Sequence, residues 1–397
     1  MRIVLHAGLH KSGTTSVQHM WRQAFARGGE GVWYPGQKGA RHPGHHAFVW
    51  PLLVAFTERR ANDLIWSATR SAHKGDLADV LKAAERRGVQ TLLISTEELD
   101  RVEPEDVDRL GTLLSGHDVT AVFTATRPVH RWCSGWQELV KHGSSQYPRD
   151  AAEDIMAFAS LAEGRLQQLT ELIPAARHII RVVRTNPPED DLAQDLSELA
   201  GLTWPAGLRP ARTHNVSMGV DVEVLRRINR LDLSLGTVDG GGRPLIAALK
   251  PAEPRYAERP ELADAYELPP AFWAATKAES EFLADPGAGV DVVDPHGELE
   301  HWRSGEVPDW YAEVRTRELV VPQLDVPVDP DEMLWRVRQE RSALRNLLDR
   351  AVLRMAELEA EVATAETSGS ASTPAPPPRA GVVARVRRRI RRRVGGR

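Results

Sequence analysis

The 397-residue chain holds one cysteine, Cys133, so an intramolecular disulfide and a multi-cysteine metal cluster are both excluded. Lysine is scarce, seven among 51 basic residues, which makes a lysine inside any motif worth following. No apolar run, including those around Val122 and Ile179, approaches the ~18 residues a membrane-crossing helix needs. Residues 1–5 pass straight into an apolar, strand-like stretch, without the charged start and long apolar core of a secretory signal. A reducing cytoplasm is the expected compartment. What is present, 42% hydrophobic and 27% charged residues, suffices for one large α/β domain or two smaller ones. The net charge of -4 conceals an asymmetry, because residues 379–397 carry nine arginines and no acid. An acidic body with a basic tail is a poor nucleic-acid-binding enzyme, and no specific nucleic acid is expected as a partner.

Four short apolar runs rich in branched residues read as buried parallel strands: Arg2–His6, Thr91–Ser95, Val119–Ala125 and His178–Val183. Helical patterns alternate with them, over roughly Thr14–Ala26, Gly75–Arg87, Pro104–Ser115, Val129–His142 and Asp154–Leu172. This alternation predicts an α/β fold, a P-loop-like doubly wound parallel sheet flanked by helices, with ligands at the carboxyl ends of the strands. The Gly- and Pro-rich stretch 235–270 reads as an irregular covering layer or lid, followed by a helix (Phe272–Leu283) and a strand (Val290–Val293), with the domain spanning 1–328.

Residues 331–365 change character. Leu334, Val337, Arg341, Leu344, Leu348, Ala351, Met355, Leu358 and Val362 form a heptad seam with one basic interruption. That helix either self-associates as a short coiled coil, making a homo-oligomer, or lies along the domain. Residues 366–378 are a low-complexity linker. In the tail, 379–397, Val382, Val383, Val386, Ile390 and Val394 share one helical face among arginines. Such a helix suits an anionic membrane surface, placing the protein at the inner face of the membrane; a solvated tail or nonspecific nucleic-acid contact is the alternative.

The strongest local signal is His6-Ala7-Gly8-Leu9-His10-Lys11-Ser12-Gly13-Thr14-Thr15-Ser16, which follows a strand and opens a helix. Gly8 and Gly13 let the backbone approach a ligand, and the helix start presents N–H groups and a positive dipole end to an anion. Lys11 adds a charge; Ser12, Thr14 and Thr15 add hydroxyls. The lysine precedes the second glycine, so this is not the Walker loop of nucleotide triphosphatases. Its shorter loop suits a single phosphate. A capped strand–turn–helix junction without ligand is the plain alternative.

At these residues the chain resembles the sulfotransferases that use 3′-phosphoadenosine 5′-phosphosulfate (PAPS). Their loop between first strand and first helix matches Lys11-Ser12-Gly13-Thr14-Thr15, and the resemblance implies that Lys11 touches the 5′-phosphate and the bridging oxygen. It further implies an arginine at a later strand end and a serine on the next helix, holding the 3′-phosphate. Arg127 and Ser134 stand there, with the serine one residue closer than usual, so that either Ser134 or the backbone near Gly135 fills its role. A Ser-x-Glu pattern, Ser95 and Glu97, makes Glu97 a candidate base; other branches use histidine, and His45 and His46 in the loop Arg41–His46 are the alternatives, unless that loop binds metal or is merely exposed. No metal is expected. Lys141 and His142 read as complements to a helix C-terminus, and Asn215 and Ser217 within Arg212–Met218 as helix caps. The implied reaction is in-line sulfuryl transfer from PAPS to an acceptor hydroxyl, on a carbohydrate or glycolipid by family, with 11 tryptophans available to stack on sugars. A P-loop-type nucleotide or small-molecule kinase and a non-catalytic anchoring protein are the competing readings.

Overall fold

The computed structural model describes residues 1–27, 31–36, 44–53, 76–141, 144–184, 192–208, 219, 221–230 and 255–320. The heptad segment, linker and basic tail lie outside these residues, as do 41–43, 142–143, 212–218 and 235–254. All described residues belong to one compact unit, Met1–Gln323.

The strands are β1 (Arg2–His6), β2 (Val32–Trp33), β3 (Thr91–Ser95), β4 (Asp118–Ala125), β5 (Arg177–Val182), β6 (Arg255–Glu258), β7 (Val290–Val293) and β8 (Arg317–Val320). Six of them build an all-parallel sheet in the order β2-β3-β1-β4-β5-β7, while β6 and β8 pair antiparallel as a separate ribbon. The helices are α1 (Thr14–Phe25), α2 (His46–Val49), α3 (Leu77–Arg86), α4 (Val107–Leu114), α5 (Pro128–Lys141) and α6 (Ala152–Phe158). They continue with α7 (Arg165–Leu172), α8 (Leu192–Leu199), α9 (Asp221–Arg230), α10 (Pro270–Ala284) and α11 (Asp309–Thr316).

The two-residue period of the strands sorts their side chains between two covered faces. Ile3, Leu5, Leu92, Ile94, Ala121, Phe123, Ile180 and Val182 join Leu77, Leu81, Leu110 and Leu166 of α3, α4 and α7 in one apolar cluster. Val4, Leu93, Val122 and Ile179 face the other way, onto Val17, Met20, Trp21 and Phe25 of α1 and Leu192 and Leu196 of α8. Burial on both faces is why these strands read as continuous apolar runs. A third cluster joins Trp132, Trp136 and Val140 of α5 to Ile155, Val222, Tyr266, Phe272 and Tyr311; Cys133 lies within it, and burial pushes its thiol well above the ordinary range.

From β1 the sheet grows to β3 on one side and β4 on the other. The crevice beyond the carboxyl ends of β1 and β4 is therefore a topological switch point, the ordinary ligand position in an open parallel sheet. Among the described residues no helix is long and apolar enough to cross a membrane.

Two expectations are corrected. The single helix over Asp154–Leu172 is two, α6 and α7, because Ser160 (φ 52°) and Gly164 (φ 69°) adopt left-handed backbone between them. The described part of the supposed irregular layer, from Arg255, is ordered as β6 and a 3-10 turn, Pro260–Tyr266.

Candidate functional site

The loop from β1 to α1 is built around an absent side chain. A Cβ on Gly8 would lie 2.2 Å from Thr14 Oγ1 and 2.5 Å from Thr124 Oγ1, so only glycine lets the loop turn there. Gly13 (φ 85°) caps α1 in left-handed backbone, with no side-chain cap and no acid in the first turn. The start of α1 therefore keeps its anion-attracting character. Thr14 Oγ1 is buried and has no hydrogen-bond partner among the described residues. Ser12 behaves differently: its hydroxyl donates to the Leu9 carbonyl (2.5 Å) and meets Thr124 Oγ1 (2.7 Å), tying the loop to β4. Thr15 is only partly buried.

At the loop root, His6 is fully buried, bonded to Ser95 Oγ (2.8 Å) and Thr124 Oγ1 (3.3 Å); burial lowers its pKa to about 3. At the tip, Lys11 has left-handed backbone (φ 69°) and its ammonium donates to Glu138 Oε2 of α5 at 2.6 Å. Lys141 approaches the same oxygen at 3.3 Å. Next to Lys11, His10 is gripped by Asp100, whose Oδ2 lies 2.5 Å from His10 Nδ1 and accepts from the His10 backbone N–H at 3.0 Å. Burial alone would discharge His10, but the charge and hydrogen bond of Asp100, helped by Glu97, prevail over it and over Arg101, raising the pKa. Burial likewise opposes the Asp100 carboxylate, and His10 more than compensates, holding its pKa below the ordinary value.

The second half of the crevice is carried by β4 and α5. Arg127, just past β4, donates from Nη2 to His130 Nε2 at 2.7 Å and stands 3.4 Å from Glu298 and 3.9 Å from Glu306. Burial first, then the Arg127 charge, lowers the His130 pKa to about 4, which suits a neutral acceptor. Along α5 the neighbours Val129, Trp132, Cys133, Gly135, Trp136 and Val140 are buried, whereas His130, Ser134, Glu138 and Lys141 are partly open. These follow steps of three and four, one helical face. A Cβ on Gly135 would meet Ile155 Cγ2 at 3.3 Å and Ala159 Cβ at 3.4 Å, so Gly135 faces α6 and Ser134 faces the opening. Along the helix axis the rise from Arg127 to Glu138 is about 16 Å.

Glu97 opens the 3-10 turn Glu97–Arg101 after β3, half-buried and without a hydrogen bond or ion pair among the described residues. His46 Nδ1 bonds Thr96 Oγ1 at 2.9 Å, and burial lowers its pKa. His45 corrects an expectation. It is fully buried, accepts the Ser95 N–H at Nδ1 (3.0 Å) and donates from Nε2 to the Pro35 carbonyl (2.8 Å). With both nitrogens engaged and burial holding its pKa to about 3, it has no lone pair for an incoming hydroxyl. No group of three or more potential metal ligands gathers among the described residues.

The sequence motifs named neither His10, Asp100 nor Glu138 as site residues. His10 stood inside the glycine loop, and its adjacency to Lys11 was the available signal; its partner lies 90 positions away.

No family model matches the chain, and no curated protein does. Among solved structures it is similar to a sulfotransferase domain from the curacin biosynthetic pathway, with 12% identity, 68% of this chain and 98% of that chain covered, and a TM-score of 0.30.

Proposed function

We propose that the protein is a PAPS-dependent sulfotransferase, moving a sulfuryl group to a hydroxyl of a carbohydrate or glycolipid. The observation that carries this reading is the cradle: Gly8 stripped of a side chain, Thr14 Oγ1 buried without a partner among the described residues, and Lys11 beside the uncapped start of α1. A buried hydroxyl without a partner calls for one, and a phosphate oxygen at the helix start supplies it. Ser12 supports the loop from within, while Gly13, Thr14 and Thr15 border the anion.

In this reading Lys11 moves from Glu138 to the bridging oxygen, where negative charge grows as the sulfuryl group departs. Arg127, oriented by His130, offers its fork to the 3′-phosphate, with Ser134 adding a hydroxyl one face along α5. Glu97 takes the proton of the acceptor hydroxyl, a step worth roughly 10²–10⁴-fold. His46 is the alternative base. Calorimetry with adenosine 3′,5′-bisphosphate against ATP tests the assignment: binding of the first is expected, and binding of ATP alone would favour the kinase reading. Turnover of labelled PAPS over sugar and lipid extracts then names the acceptor.

The regions outside the described residues enter the same proposal. The heptad segment 331–365 joins copies of the chain, and the tail 379–397 brings the enzyme to anionic membrane carrying its acceptors, a peripheral location inside the cell. Equal co-sedimentation of full-length protein and a truncation after Pro378 with anionic vesicles would refute the tail's part.

A further inference from the structure

Among the described residues only two other than glycine have left-handed backbone, Lys11 (φ 69°) and Ser160 (φ 52°). Both converge on one carboxylate. Asp100 Oδ2 takes the backbone N–H and the ring Nδ1 of His10, the residue immediately before Lys11, and it also accepts the Ser160 hydroxyl at 2.6 Å. The Asp100 side chain is completely buried, and its own carbonyl is fastened by Arg165 through Nε (3.1 Å) and Nη2 (2.7 Å). Phe158, two residues before Ser160, presents its ring to His10 (5.2 Å between centroids) and lies 5.8 Å from the Lys11 ammonium. Left-handed backbone at a side-chain-bearing residue persists only where its surroundings over-determine it, and such residues gather at functional sites. Here the surroundings share a single anchor.

We propose that Asp100 is a positioning residue of the anion cradle: by gripping His10 through backbone and ring, and Ser160 through its hydroxyl, it holds the turn that aims Lys11 and fixes Phe158 beneath it. A neutral core residue could fill the same space, but it could not accept three donors at one oxygen. The proposal rests on the cradle being the PAPS seat as far as binding is concerned; its structural half stands by itself.

The experiment uses the full chain and three variants, Asp100→Ala, Asp100→Asn and, as a control, Glu223→Gln, which weakens a separate buried cluster with Arg226 and Tyr266. Hydrogen exchange read by mass spectrometry should show faster exchange in the segments 7–13 and 158–161 of Asp100→Ala, with β1 and β4 unchanged. Affinity for adenosine 3′,5′-bisphosphate should fall about tenfold, the scale of one lost hydrogen bond to a charged group. Asp100→Asn, which keeps an acceptor for the backbone N–H, should recover part of both effects, and it carries the test if the alanine variant does not fold. The control should lose thermal stability with neither change. Unaltered exchange in both segments, or exchange raised evenly across the sheet, would overturn the proposal. Failure of the unmodified protein to bind the bisphosphate would instead overturn the functional reading, while the exchange data still decided the role of Asp100.

Discussion

The two strand ends that flank the switch point each present one cation, but they are built in opposite ways. Beyond β1 the site is mostly backbone: glycines at 8 and 13, an uncapped helix start, and a lysine whose ammonium sits against one glutamate. Beyond β4 it is mostly side chain: Arg127 braced by His130, Glu298 and Glu306, with Ser134 along the helix. A backbone cradle makes no distinction among small anions and suits the group that reacts. A braced guanidinium has fixed direction and suits a phosphate that identifies the ligand. Under the proposed function, the contrast would give chemistry to the first half and recognition to the second.

The sharpest way to break that assignment is Lys11→Ala. Loss of a donor to developing charge costs on the order of 10²–10³ in turnover, so kcat measured with PAPS should fall by that much with a smaller change in KM. An equal loss in both constants would move Lys11 to the binding side. Next comes Arg127→Lys, which keeps the charge and loses the fork. Affinity for adenosine 3′,5′-bisphosphate should drop about tenfold, whereas adenosine 5′-phosphosulfate, which has no 3′-phosphate, should bind as before. Similar weakening of both ligands would erase the division between the halves. The smallest effect belongs to Ser134→Ala, about threefold in affinity, the scale of a neutral hydrogen bond. No change at all would leave the 3′-phosphate to Arg127.

Acidity divides the buried histidines rather than the halves. His6 and His45, at the cradle root, have pKa values near 3 in the folded protein, and His130 beside Arg127 has one of about 4, all below the 6.5 of an unfolded chain. Between those values the unfolded chain binds more protons, so stability rises with pH toward 6.5. His10 acts in the other direction: its raised pKa contributes stability that is full below 6.5 and fades as pH climbs through the folded value. Thermal melts should therefore improve from pH 4 to about 6.5, and the later decline should vanish in His10→Gln. A decline that persists in that variant would discharge His10 from the account.

How far the sequence discloses this site depends on separation along the chain. The strands were legible because burial on both faces leaves continuous branched runs, and Lys11 and Arg127 because each follows such a run directly. The pairs His10–Asp100 and Lys11–Glu138 span 90 and 127 positions, and no local pattern marks their meeting. The break between α6 and α7 was hidden for a related reason. Helical periodicity runs on through Ser160, and a hydroxyl bond to distant Asp100 accompanies its turn. The edge strand Val32–Trp33 escaped by brevity, two residues being too few to show alternation.

The carboxylate of Glu138 lies 2.6 Å from the Lys11 ammonium and 3.3 Å from that of Lys141. When Lys11 turns to an arriving anion, Glu138 keeps Lys141, and no half-buried carboxylate is stranded without a counter-ion, the situation that makes broken ion pairs costly. Under the proposed function, entry of the ligand would be an exchange of partners among Lys11, Glu138 and Lys141. The same exchange run backwards would release the spent nucleotide, with Glu138 placed to reclaim the lysine.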